Sequence, residues 1–128
     1  MNRKPIINPD PTKEIWEWKD GSCTVISTMT DLAVYRALLY CYITVHNRSK
    51  YFYIAEQRAK NSTNVEQEQY HRECMKEHVE TAEFFYEKLL ALKQHCKDMG
   101  YRFPHNFQET KDMLNAKERR YHSFKKRE

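Results

Sequence analysis

AKNSTNVEQEQY, residues 59–70, decides how this chain folds. On each side of it lies a long stretch with helical periodicity and neither glycine nor proline. Between them sit Asn61, Ser62, Thr63 and Asn64, residue types that favour turns and helix caps over helix interiors. Thr63 followed by Glu66 has capping-box spacing, in which side chains satisfy the free N–H groups at a helix start. Two helices joined by so short a connection pack as an antiparallel hairpin.

The first helix is expected to open near Thr28 or Thr30, with Asp31 in the electropositive first turn. Leu32, Tyr35, Leu38, Leu39, Tyr42, Val45, Phe52 and Ala59 recur at helical spacing. Asn47-Arg48-Ser49 leaves open whether this is one helix or two. The second helix is expected from about Val65 to Met99, with Gly100 as its stop. Met75, Val79, Ala82, Phe85, Tyr86, Leu89, Leu92 and Cys96 form its apolar stripe. Residues 31–60 carry five Lys/Arg against two acids and residues 65–99 five against eight, which favours their pairing.

Asn106 with Glu109 repeats the capping-box pattern and opens a third helix, with Phe107, Leu114, Tyr121 and Phe124 along one side. Pro5, Pro9 and Pro11 make residues 1–12 an extended arm. In EIWEWKDGSCTVIS, residues 14–27, Asp20-Gly21 suits a two-residue hairpin turn. That turn sets Trp18 opposite Cys23 and Trp16 opposite Val25, with these four on one face. Two strands alone are marginal, so the tryptophan face is expected against a helix. The fold class is mainly α: an antiparallel two-helix core, a C-terminal third helix and a short N-terminal β-hairpin. Residues 13–110 form one domain and residues 106–128 a basic helix or tail.

Composition agrees. Hydrophobic residues at 40% and charged residues at 31% over 128 positions suit one globular domain. Two glycines argue against phosphate-cradling loops and turn-rich β folds. The longest apolar run, residues 38–45, is far short of the roughly 20 residues of a membrane span. Cys23, Cys41, Cys74 and Cys96 have no CxxC pairing and read as reduced thiols, which with no secretion signal sets the expected location in the cytoplasm. Residues 111–128 hold seven Lys/Arg against three acids, which accounts for the whole net charge of +4.

Around Trp16, Lys19-Asp20-Gly21 and Met29-Thr30-Asp31 the chain resembles small uncharacterised phage and prophage proteins. Those carry a tryptophan, KDG, a short β stretch, MTD and a helix. Where they continue with His-Leu-x-Asn, this chain has Ala33, Val34, Tyr35 and Arg36. The resemblance implies a phage or mobile-element source and a host-cell setting, and no activity.

Four sets of residues are candidates for function. His71, Cys74 and His78 fall on adjoining helical turns and, with His46, are zinc-ligand types. The close cysteine pairs of structural zinc sites are absent, so packing is the preferred reading and no cofactor is expected. Glu66, Glu73, Glu77, Glu80 and Glu87 lie near one side of the second helix, either as a solvated face or as an imitation of a phosphate backbone. Arg119, Arg120, Lys125, Lys126 and Arg127, interleaved with Tyr121 and Phe124, suit phosphates and bases, or simply a helix end. Finally, 13% aromatic residues is more than one core face uses, and tyrosine beside arginine is interface composition. Tyr40, Arg48, Tyr51, Tyr53, Glu73, Glu77 and Glu80 are therefore the expected partner-binding residues. His95-Cys96 is no nucleophile and base, because consecutive helical residues diverge by about 100°.

The expectation is a non-enzymatic protein that binds a host protein, as an inhibitor of a bacterial defence system, and that self-associates as a homodimer. Nucleic-acid binding through the tail is the alternative, and a helical metalloprotein the third.

Overall fold

The computed structural model describes the backbone of residues 15–127 and the side chains of residues 15–119. The proline-containing arm lies outside them. Strands β1 (Ile15–Glu17) and β2 (Cys23–Val25) form an antiparallel hairpin, followed by a 3-10 turn at Ile26–Thr28. Helices α1 (Asp31–Lys60), α2 (Val65–Met99) and α3 (Phe107–Arg127) complete the chain. α1 packs along α2, and α3 packs against α1.

The helix ends follow the local chemistry. Thr30 caps α1 by accepting the Ala33 N–H. α1 is one continuous helix: the Ser49 hydroxyl donates to the Val45 carbonyl one turn back, so no break is needed at residues 47–49. α2 starts at Val65, but its cap is Asn64, not Thr63: Asn64 Oδ1 accepts the Gln67 N–H at 2.8 Å. The Thr63 N–H and hydroxyl both donate to the Gln67 side chain, so Gln67 takes the role expected of Glu66. Gly100 ends α2 at φ +74°, a left-handed conformation glycine adopts without strain. Asn106 accepts the Glu109 N–H at the start of α3.

The hairpin register differs from the expected one. Trp16 pairs with Thr24 and Glu17 with Cys23, a slip of one residue. The Trp18 carbonyl accepts the Gly21 N–H, and the Trp18 N–H donates to the Ser22 carbonyl. The loop therefore holds three residues, Lys19, Asp20 and Gly21, with Gly21 at φ +90°. Asp20 receives both the N–H and the hydroxyl of Ser22, which hold its carboxyl below the usual range. A one-residue slip exchanges the faces of one strand. Thr24 now shares the tryptophan side, where its hydroxyl accepts the Trp18 indole N–H at 2.7 Å. Cys23 and Val25 turn outward and are exposed.

The core sits at one end of the helical pair. α1 contributes Val34, Tyr35, Ala37, Leu38 and Cys41, and α2 contributes Leu92 and Cys96. Trp16, Ile26 and Met29 close it from the hairpin side and Leu114 from α3. Tyr35 and Tyr42 donate to the carbonyls of Arg102 and Pro104, strapping residues 101–105 onto α1. Lys117 reaches Asp31 at 2.7 Å and Arg36 reaches Glu118 at 3.3 Å. Past Cys41 only Ala55 and Ala59 of α1 are buried, and no α2 residue before Lys88 is. The two helices thus run beyond the core as an arm. Val79 and Tyr86, both in the expected stripe of α2, are 40% and 52% exposed, as this architecture requires.

Candidate functional site

A groove lies where β1 meets α1 and α2. β1 alternates sides, so Trp16 points inward and is only 4% exposed, while Ile15 and Glu17 point out. The Trp16 ring meets Trp18 and Tyr40 edge-on, both at 6.0 Å, and Phe85 at 6.1 Å. Tyr40 and Phe85 are 5.3 Å apart, and Phe84 stands edge-on to Phe85 at 5.2 Å. These rings line a groove of about 570 Å³ among the described residues. Three cations, Lys19, Arg36 and Lys88, one acid, Glu17, and the side chains of Ile15 and Cys23 complete the lining.

Lys88 was not among the expected site residues. It is 5% exposed, its Nζ donates to the Ile15 carbonyl at 2.6 Å, and it lies 5.2 Å from the Phe84 ring centre. A signal was there to read: Lys88 falls between Phe85 and Leu92 on the apolar stripe of α2.

The expected partner-binding residues divide. Tyr40, half exposed, forms a wall of the groove. Glu73, Glu77 and Glu80 are exposed, and their spacing continues to Phe84, so this acidic stripe runs into the groove wall. Farther along the arm, Arg48 and Tyr51 meet at His78. Tyr53 does not join them, because residues two apart leave a helix about 200° apart. It lines a shallow depression with Gln57, Tyr70 and His71 instead.

His71, Cys74 and His78 are all half-buried, but the surroundings are not those of a metal site. Among the described residues no group of three or more His, Cys, Asp or Glu side chains is placed to hold an ion. The Arg48 guanidinium, a donor only, lies 3.0 Å from His78 Nδ1, so that nitrogen accepts and faces a positive charge. His71 stands edge-on to Tyr70 at 5.2 Å.

The thiols nearest the core are poor nucleophiles. Burial pushes Cys41 up to about 12 and Cys96 up to about 11, away from the thiolate that reaction needs. His95 Nε2 donates to the Met29 carbonyl at 2.9 Å, which ties α2 to the segment before α1. On α3, Arg119 is exposed, and the helical backbone continues through Arg120, Lys125, Lys126 and Arg127. No helix is long and apolar enough to cross a membrane among the described residues. Comparison with protein-family models, curated proteins and solved structures finds no match to this chain.

Proposed function

We propose that this chain is a non-enzymatic binding protein that works by docking on another protein through the α1–α2 arm. The supporting observation is the exposure of large rings on that arm. Tyr51 is 48% exposed, Tyr70 64% and Tyr86 52%, beside a stripe of glutamates. Exposed tyrosines with arginine and carboxylates around them are the anchors and rim of protein interfaces. Among the described residues no third layer covers the arm, so they leave that surface open to a partner.

The finer reading is a phage or mobile-element accessory protein whose partner is a host protein, with inhibition of a bacterial defence system as its role. The resemblance around Trp16, Lys19-Asp20-Gly21 and Met29-Thr30-Asp31 supports that setting. Homodimerisation through the same arm is the other occupant this surface suits.

The test is affinity capture from a bacterial lysate, with and without nuclease, followed by binding measurements on the purified partner. A host protein retained after nuclease, and bound about tenfold more weakly by Tyr51→Ala, is the expected result. Gln108→Ala, exposed on α3, serves as the off-patch control. Retention of bulk nucleic acid alone, lost steeply as salt rises, overturns the reading in favour of the basic tail.

A further inference from the structure

We infer that the groove beneath the β-hairpin binds a small apolar carboxylic acid. The groove lies at the core end of the molecule and is independent of the proposed docking of a protein on the arm. Its volume of about 570 Å³ falls in the range of small-molecule sites, which are mostly apolar with a few polar groups fixing orientation. Trp16, Tyr40, Phe84 and Phe85 supply the apolar walls.

The charge at the rim selects the head group. Among the described residues, Lys19, Arg36 and Lys88 line the groove together with one carboxylate, Glu17. Lys88 already donates to the Ile15 carbonyl, so Lys19 and Arg36, which also line the groove, are the donors offered to a carboxylate. Arg36 also holds Glu118 at 3.3 Å, with its side chain 54% exposed, which leaves donors on its guanidinium for a second carboxylate. An apolar body with an anionic head matches both parts, whereas a cationic head meets Lys19 and Arg36.

Trp16 and Trp18 are the chain's two tryptophans, and both line the groove, so their fluorescence reports occupancy directly. The full chain is titrated with dodecanoate below its micelle concentration, and in parallel with dodecyltrimethylammonium. The expected result is a saturable shift in tryptophan emission at a dodecanoate concentration about fivefold lower than the cation needs. The double variant Lys19→Glu, Arg36→Gln, its helical content checked by circular dichroism, is expected to remove that preference. The wild-type comparison of the two head groups stands even if this variant fails to fold. Equal response to both head groups, or no response to dodecanoate, overturns the proposal. So does a dodecanoate response seen only after Ile6 and Ile7 are replaced by Asp, which assigns the groove to the chain's own N-terminal residues. Dissociation of a dimer on adding dodecanoate, read by light scattering, assigns it to a second copy and also overturns the proposal.

Discussion

Lys88 of α2 donates its ammonium group to the main-chain carbonyl of Ile15 at 2.6 Å and so holds the first strand against the second helix. A hairpin of two short strands has little stability of its own. Its position over α2, where Trp16 meets Phe85, depends on tertiary contacts of this kind. Replacing Lys88 with Met keeps the aliphatic stem and removes the donor. The expected cost is about 1–3 kcal/mol, the range for a buried acceptor left unsatisfied. Urea unfolding measures it, and a red-shifted tryptophan emission in the folded variant shows that the hairpin has loosened. An unchanged midpoint and spectrum would count against the tether.

Gly100 terminates α2 at φ +74°, and a Cβ added there meets nothing within 4 Å. The penalty for Gly100→Ala is therefore the backbone conformation alone, about 1 kcal/mol. Gly100→Asn, which tolerates the left-handed region better, is expected to lose less. Thermal unfolding of the two variants gives the order; equal losses would point to a packing role that the open surroundings of Gly100 do not provide.

Leu92 has no exposure and Val79 is 40% exposed, although both lie on the apolar stripe of α2. Leu92→Ala is expected to cost about 2–5 kcal/mol through lost burial and the cavity left behind. Val79→Ala is expected to stay within about 0.5 kcal/mol. Denaturant midpoints separate the two. Comparable losses would mean that the arm is covered in solution, with self-association the first explanation to check by light scattering.

Three buried groups and the half-buried Tyr42 set the alkaline limit. Burial raises Tyr35 and Tyr42 from 10.0 to about 12, and Cys41 from 9.0 to about 12 and Cys96 from 9.0 to about 11. Each is neutral when protonated, so the folded chain holds these protons more tightly than the unfolded chain. Their contribution is complete below the unfolded values, 9.0 for the thiols and 10.0 for the phenols, and is lost as pH rises through the folded ones. The urea midpoint is expected to fall between about pH 9 and 12. Tyr42→Phe removes one of the four, along with its bond to the Pro104 carbonyl. It is expected to be about 1 kcal/mol less stable at neutral pH and to show a shallower alkaline slope.

Within the candidate site, legibility followed the range of the interactions. The exposure of Tyr40, Tyr51 and Tyr53 was readable, because each lies off the apolar stripe of α1. That Tyr40 belongs with Trp16 and Phe85, and Tyr51 with His78, was not, because those partners come from other elements. The place of Lys88 on the apolar stripe of α2 marked it for burial, but the carbonyls that Lys88 and His95 bond belong to the N-terminal segment, and helical spacing does not name them.

The sequence by itself determined a helical pair, a C-terminal helix and a hairpin, and placed the starts of α2 and α3 to within a residue, while it left Thr28 or Thr30 as the first cap and one helix or two across Asn47-Arg48-Ser49. Caps, the Gly100 stop and apolar periodicity act over one or two turns, and all of them lie within the segment they shape. Tertiary structure decided the rest. The hairpin register turned on a one-residue difference in loop length, which sets Thr24 under the Trp18 indole and leaves Cys23 outside. The third helix covers only the core end of the pair, where Asp31 meets Lys117 and Arg36 meets Glu118. Which aromatic rings close a groove and which stay exposed depends on contacts between residues far apart in the chain, and periodicity within a single helix carries no record of them.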